Sequence, residues 1–137
     1  TRLASYATVT DAFSSAGVIP SGGGTVTDRN YVATREPGEP RHAGNRGGAS
    51  IWYRWSPTTT GRVTITTEGS NFDTVLGVYG GGTVSSLTSV ASNGNINLAA
   101  NVLTSRVVFT AQAGATYRIA VDGYRGDIGN VRLSVKR

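Results

Sequence analysis

The strongest constraint on this chain is a repeated period of two. Ile51, Tyr53 and Trp55 alternate with Trp52 and Arg54, and Val63 and Ile65 alternate with Arg62, Thr64 and Thr66. Tyr117, Ile119 and Val121 oppose Arg118 and Ala120, while Val131, Leu133 and Val135 oppose Arg132 and Ser134. Such alternation places one face against a core and the other in water, as antiparallel sheets do. Strands are therefore expected at Ser50–Trp55, Arg62–Thr67, Thr74–Tyr79, Ser89–Ser92, Arg106–Thr110, Thr116–Asp122 and Asn130–Val135. Thr74–Tyr79 is apolar on both faces and belongs in the middle of a sheet. Gly80-Gly81-Gly82, Gly114 and Gly123 mark turns. One helical turn is expected at Asp11–Ala16, capped by Thr10 or Asp11, and Asn93–Ser105 reads as a long polar loop. The pattern predicts an all-β fold, a two-sheet antiparallel sandwich. Its core should hold Ile51, Tyr53, Trp55, Val63, Ile65, Leu76, Val78, Phe109, Ile119, Val121 and Leu133.

With 137 residues the chain suits one domain with a real core. It has no cysteine, so stability must come from packing or a bound ion. The 19 glycines, the many Thr, Ser and Val, and a charged fraction of only 15% fit a β protein. No apolar run approaches the roughly 18 residues that span a bilayer, so membrane insertion is not expected. No signal peptide or initiator Met is present, and Thr1 reads as a processing boundary. The net charge of +5 comes from twelve arginines and one lysine. It suits an anionic polymer, but the cations are scattered and form no nucleic-acid tail, which makes a solvated basic surface the plainer reading.

The residues that carry a family likeness run in order along most of the chain. They are Asp11-Ala12-Phe13, Ala33-Thr34-Arg35-Glu36-Pro37-Gly38-Glu39-Pro40, His42-Ala43-Gly44 and Ser50-Ile51-Trp52-Tyr53-Arg54-Trp55. Phe72-Asp73-Thr74-Val75-Leu76, Ser105-Arg106-Val107 and Tyr117-Arg118-Ile119-Ala120-Val121-Asp122-Gly123-Tyr124 complete them. On these pieces the sequence resembles the bacterial pre-peptidase C-terminal (PPC-like) domain, an accessory β-sandwich of jelly-roll type. The resemblance implies one domain over residues 11–137, preceded by an extension or strand at 1–10. It also implies a non-catalytic module attached to secreted proteases, other hydrolases or surface proteins. Such domains are similar to carbohydrate-binding modules, and some bind calcium or polymeric substrates. Together with the Thr/Gly/Ser-rich composition, this places the protein outside the cell or at a bacterial surface.

Residues 35–79 concentrate the chemistry. They hold three of the eight acids (Glu36, Glu39, Asp73), the single histidine His42 and both tryptophans. Calcium wants six to eight hard oxygens, and Glu36, Glu39, Asp73 and Asn93 are loop residues that one end of a sandwich could gather. The alternative is structural: Asp73 caps the turn into Thr74, and Glu36 or Glu39 pairs with Arg35, Arg41 or Arg46. Relatives commonly carry Asn-Asp-Asp where this chain reads Asn93-Gly94-Asn95, and the loss of both acids favours the structural reading.

Hydrolysis finds little support. Glu36 and Glu39 sit on a stiff proline-rich loop, not across a cleft. His42 has no accompanying Gly-x-Ser-x-Gly nucleophile motif. Zero cysteines and one histidine leave almost no basis for thiol or transition-metal chemistry.

Aromatic rings could instead form a sugar platform. By parity Tyr53, Trp55 and Tyr117 face inward, leaving Trp52 and Tyr124, although Trp52 could equally pack beneath the Glu36–Gly48 loop. Arg54, Arg62, Arg118 and Arg132 all take outward parity and, on a shared sheet, would make an arginine face suited to sulfate, carboxylate or phosphate. A merely solubilising exterior would carry the same residues.

The expected function is thus a non-enzymatic extracellular binding or adhesion module. Its partner would be a polysaccharide or another extracellular polymer, contacted through Trp52, Tyr124, Arg54 and Arg118, with calcium as the candidate ion. The alternative is a structural subunit of an extracellular assembly or filament. In that case Leu3, Ala7 and Val9 of residues 1–10 would add a strand to a neighbouring copy, instead of packing on their own domain. Nucleic acid is not an expected partner.

Overall fold

In the computed structural model, residues 12–31, 33–45, 47–96, 99 and 102–137 are described. The extension at residues 1–10, with its proposed self-association, lies outside them. A 3-10 turn at Phe13–Ser15 leads into β1 (Gly17–Ile19) and β2 (Gly24–Arg29). Then come β3 (Ile51–Trp55), β4 (Gly61–Thr66), β5 (Thr74–Gly80), β6 (Thr88–Asn93) and β7 (Arg106–Ala111). β8 (Tyr117–Gly123), a second 3-10 turn (Tyr124–Gly126) and β9 (Asn130–Lys136) complete the chain. The strands form a five-stranded sheet in the order β1-β3-β8-β5-β6 and a four-stranded sheet in the order β2-β9-β4-β7. The fold is an all-β sandwich.

Register explains the core. Ile51, Tyr53 and Trp55 pair with Val121, Ile119 and Tyr117, and all six side chains are buried on the inner face. β5 adds Leu76 and Val78 opposite Val121 and Ile119. Val63, Ile65, Val107, Val131, Leu133 and Val135 supply the other sheet's inner face. Burying a side chain of this size stabilises the fold by about 1.5–3 kcal/mol. Phe109, expected inside, is only partly buried, and its ring packs 5.2 Å from that of Tyr117.

Other expectations need correction. β1 and β2 were not anticipated. β2 is an edge strand with a single apolar residue, Val26, and β1 is only three residues long, so neither displays the alternation of a half-buried strand. β1 also runs parallel to β3, so the five-stranded sheet is mixed. The expected helical turn is a 3-10 turn, and its N-cap, Ala12, makes no side-chain capping bond.

Two buried polar knots tie the loops to the sheets. Asn30 Nδ2 donates to the carbonyls of Ala49 (3.0 Å) and Asp127 (3.2 Å), and its Oδ1 accepts from Gly129 N (2.8 Å). Thr67, Thr74 and Ser105 bond through their hydroxyls, with Thr67–Thr74 at 2.6 Å and Thr74–Ser105 at 2.9 Å.

Candidate functional site

The outer face of the five-stranded sheet divides into a covered part and an open part. The loop between β2 and β3 covers the first. Trp52, opposite Ala120, points outward from β3 but is fully buried. Its ring meets Phe13 at 5.0 Å, His42 at 5.3 Å and Tyr79 at 6.0 Å. Trp52 therefore offers no surface for stacking a sugar. Its outward parity is real, but the loop turns that face into a second small core. Trp52 Nε1 has no hydrogen-bond partner among the described residues.

Beneath the same loop lies a buried polar chain. Tyr79 OH is 2.6 Å from His42 Nδ1, and His42 Nε2 is 2.6 Å from Glu39 Oε2. Glu39 Oε1 accepts from Glu36 N at 2.9 Å, and Glu36 Oε1 accepts from Phe13 N at 2.6 Å. Arg35 also donates to the Glu39 carbonyl. Burial alone would raise the Glu39 pKa, but hydrogen bonds from His42, Ser50 and Glu36 N outweigh it and hold the carboxyl below its ordinary value. Burial, followed by the Glu39 and Asp122 charges, pushes Tyr79 upward, so its hydroxyl stays protonated. The hydrogen-bond chemistry then assigns the protons: Tyr79 O–H donates to Nδ1, and Nε2–H donates to Glu39.

Asp122 closes the cluster from β8. Its carboxylate accepts from Gly48 N at 3.2 Å, Ala49 N at 2.9 Å and Gly123 N at 2.7 Å. Burial raises its pKa, and those Ala49 and Gly123 bonds oppose the rise.

Two glycines make this closeness possible. A Cβ on Gly77 would sit 2.6 Å from the Tyr79 hydroxyl, and one on Gly47 would sit 1.8 Å from Asp122 Oδ2. Glu39, His42 and Asp122 bring ligand atoms within 4.8 Å of one another. Every one of those atoms is already hydrogen-bonded, however, and neither open cavity described below is lined by them. As built, the cluster fastens the loop to the sheet.

The expected calcium ligands Glu36, Glu39, Asp73 and Asn93 are each engaged in hydrogen bonds. Glu36 and Glu39 spend oxygens on Phe13 N, Glu36 N and His42, and Asn93 Oδ1 accepts from Arg106 N at 3.2 Å. Asp73 lies elsewhere, beside a partly open cavity of about 590 Å³ also lined by Asn71 and Asp127. Asp73 Oδ1 accepts from the Asn95 side chain at 2.9 Å, while its backbone N–H bonds to Asp127. Glu39 takes its side-chain hydrogen bond from His42 Nε2–H at 2.6 Å.

Arg54 and Arg118 hold the open part. They sit directly opposite each other on β3 and β8. Like charges in that position repel, and neither has an ion-pair partner among the described residues. Arg118 is fixed by its Nε–H to the Gly81 carbonyl (3.3 Å) and by stacking 4.8 Å over the Phe13 ring. Burial, then the Arg54 charge, pulls its pKa down. Both arginines line a groove of about 290 Å³ beside β1, together with Pro20, Ser21, Ser56 and Thr116.

Tyr124 is 41% exposed but lies past the other end of β8, six residues and about 20 Å from Arg118. Arg62 and Arg132 belong to the four-stranded sheet, so the four outward arginines do not share one face.

No protein-family model matches the sequence, and a search of curated proteins finds no significant match. Solved structures do resemble the fold. The pre-peptidase C-terminal domain of a collagenase from Bacillus anthracis aligns over 88% of this chain and 94% of its own, with a TM-score of 0.56 and 17% identity. The fold is that of a pre-peptidase C-terminal domain. The same pre-peptidase C-terminal architecture is also similar to Aeromonas hydrophila PliG, a periplasmic inhibitor of g-type lysozyme. That alignment covers 88% of this chain and 95% of the inhibitor, with a TM-score of 0.50 and 14% identity. CBM35 from Cellvibrio japonicus Abf62 aligns over 84% of this chain and 87% of its own, at 16% identity, but its TM-score of 0.38 is too low to bear on the fold.

Proposed function

We propose that this protein is a non-catalytic extracellular binding module whose Arg54/Arg118 groove holds an anionic polysaccharide. The observation that carries the reading is the directly opposed arginine pair, without a carboxylate partner among the described residues, lining an open groove. Such a pair is destabilising alone and is relieved by an anion between its forks. Uronate carboxylates and sulfate esters present oxygens in the geometry a guanidinium fork accepts. The hydroxyls of Ser21, Ser56 and Thr116 along the groove suit the sugar itself.

A non-catalytic role is supported by the burial of His42, Glu39 and Tyr79, whose order resembles an acid–base relay but which face each other. An extracellular location is supported by the composition and by the pre-peptidase C-terminal fold, one of whose structural neighbours is periplasmic. No helix among the described residues is long and apolar enough to cross a membrane.

Affinity electrophoresis against alginate, dextran sulfate and neutral dextran tests the proposal. Charged polymers should retard the protein and dextran should not. Replacing Arg54 and Arg118 together with Ala should weaken binding at least about tenfold, because each lost charge-assisted bond is worth about 1.5–3 kcal/mol. Equal retardation by charged and neutral polymers, or an unaffected double variant, refutes it.

A further inference from the structure

The four-stranded sheet presents its own outer face, with no loop over it, among the described residues, comparable to that on the five-stranded sheet. The outward positions of its strands carry Arg29, Arg62, Arg106, Arg132 and Lys136, all exposed. Register fixes their arrangement. Thr25, Ser134, Thr66 and Arg106 form one row across all four strands, with the Thr25 and Ser134 hydroxyls 3.0 Å apart. Arg132 stands one row to one side of this hydroxyl line, opposite Thr27, and Arg29 stands a row beyond. On the other side come Lys136, opposite Thr64, and then Arg62, opposite Thr110. From the Arg29 row to the Arg62 row is about 27 Å along the strands. The cations thus form a diagonal band whose gaps hold the exposed Thr25, Thr27 and Thr110 and the half-buried Thr64, while Thr66 and Ser134 are buried beneath them. Arg106 pairs with Glu68 at the rim (4.0 Å), and Asp28 accepts from Tyr53 OH at 2.6 Å and from Arg29 N at 2.8 Å, whereas Arg62, Arg132 and Lys136 have no ion-pair partner among the described residues.

We infer that this cationic, threonine-floored plane is a second binding surface for an anionic polysaccharide chain, independent of the Arg54/Arg118 groove and on the opposite side of the sandwich. Charge complementarity selects a polyanion. Among the described residues, the four strands of this face carry no protruding helix or ribbon of the kind that enters a duplex groove, which favours an extended polymer over a nucleic-acid duplex. The strands' outward positions hold no aromatic ring on which single-stranded bases could stack. With two faces, one molecule can bridge two chains.

The test uses the full chain and dextran sulfate, with alginate and duplex DNA as competitors. In the Arg54→Ala/Arg118→Ala background, dextran sulfate should still bind. Adding Arg62→Ser and Arg132→Ser should weaken that binding at least tenfold and lower the salt slope by about two, with unchanged thermal melts. The wild type should raise turbidity with dextran sulfate at intermediate ratios and clear in protein excess, and either pair of substitutions should abolish this. No binding left in the Arg54→Ala/Arg118→Ala background, or no effect of adding Arg62→Ser and Arg132→Ser, overturns the second surface. So does duplex DNA binding more tightly than dextran sulfate at equal salt. If Arg54→Ala/Arg118→Ala binds like the wild type, the groove falls while the plane stands.

Discussion

The outer face of the five-stranded sheet is largely roofed by the β2–β3 loop, whereas the described residues put no such roof over the outer face of the four-stranded sheet. The consequences appear in the residues beneath. Under the roof, the outward positions of β5 and β8 hold Val75, Gly77, Tyr79, Ala120 and Asp122, and all but Gly77 have side chains to bury; Arg118, at the start of β8, lies in the open part. On β4 and β9 they hold Arg62, Thr64, Asn130, Arg132 and Lys136, which are exposed or half-buried, and only Thr66 and Ser134 are buried. A roof demands small or hydrogen-bonded groups, because a buried polar atom must be satisfied. A bare face asks only for solvation and leaves its charges available to a ligand. One sheet buries most of its outer face, and the other leaves its cations exposed.

The largest break in this contrast is Trp52→Ala, which should remove the centre of the roofed cluster and cost about 3–5 kcal/mol. Urea unfolding should show it, and a midpoint equal to wild type would mean the loop does not seal the face. Gly47→Ala comes next. Its φ of +61° and the approach of Asp122 make a cost of about 3 kcal/mol the expectation. Gly114→Ala is the control, since φ is +81° but nothing lies within 4 Å, and about 1–2 kcal/mol should suffice. Equal losses at the two sites would show that only backbone strain matters.

Glu39→Gln should cost about 2 kcal/mol at neutral pH and should also change the acid limb of stability. Because the folded Glu39 pKa is depressed, the unfolded chain takes up its proton first as pH falls. The stability Glu39 supplies is therefore complete above the ordinary carboxylate pKa and lost below it. Asp122, with a raised pKa, has the opposite slope. Melts from pH 7 to pH 3 should fall less steeply in the Gln variant, and parallel curves would contradict the buried pair. At the bottom of the scale, Thr64→Val on the bare face should stay within about 0.5 kcal/mol. A larger shift in its melt would show that this face is not simply solvated.

The same contrast explains what the sequence revealed. β4 and β9 were legible because water on one side enforces alternation. β5 was legible as central because it is apolar throughout. Trp52 was ambiguous, since an outward parity says nothing about whether a loop returns to cover it. The sequence does contain a signal for the roof: Ala120 and Asp122 replace the long cations expected at outward positions of β8, next to the flexible Gly47-Gly48 pair. It took the fold to join Glu39, His42, Tyr79 and Asp122, because they are distant in the chain. β1 and β2 escaped notice because a short parallel edge and a threonine-rich edge need no alternation.

The attachment of the roof also has a kinetic side. His42 reaches Tyr79 across 37 residues, and Gly48 reaches Asp122 across 74. Contacts that close such long loops form slowly and late, after the strands that carry their far ends have paired. Because the roof's partners sit on β5 and β8, it is expected to dock only once those strands have paired and to lift without separating them. The Gly48 and Ala49 amides, both donated to Asp122, become reporters of that lifting, with hydrogen exchange expected at an opening energy below that of global unfolding.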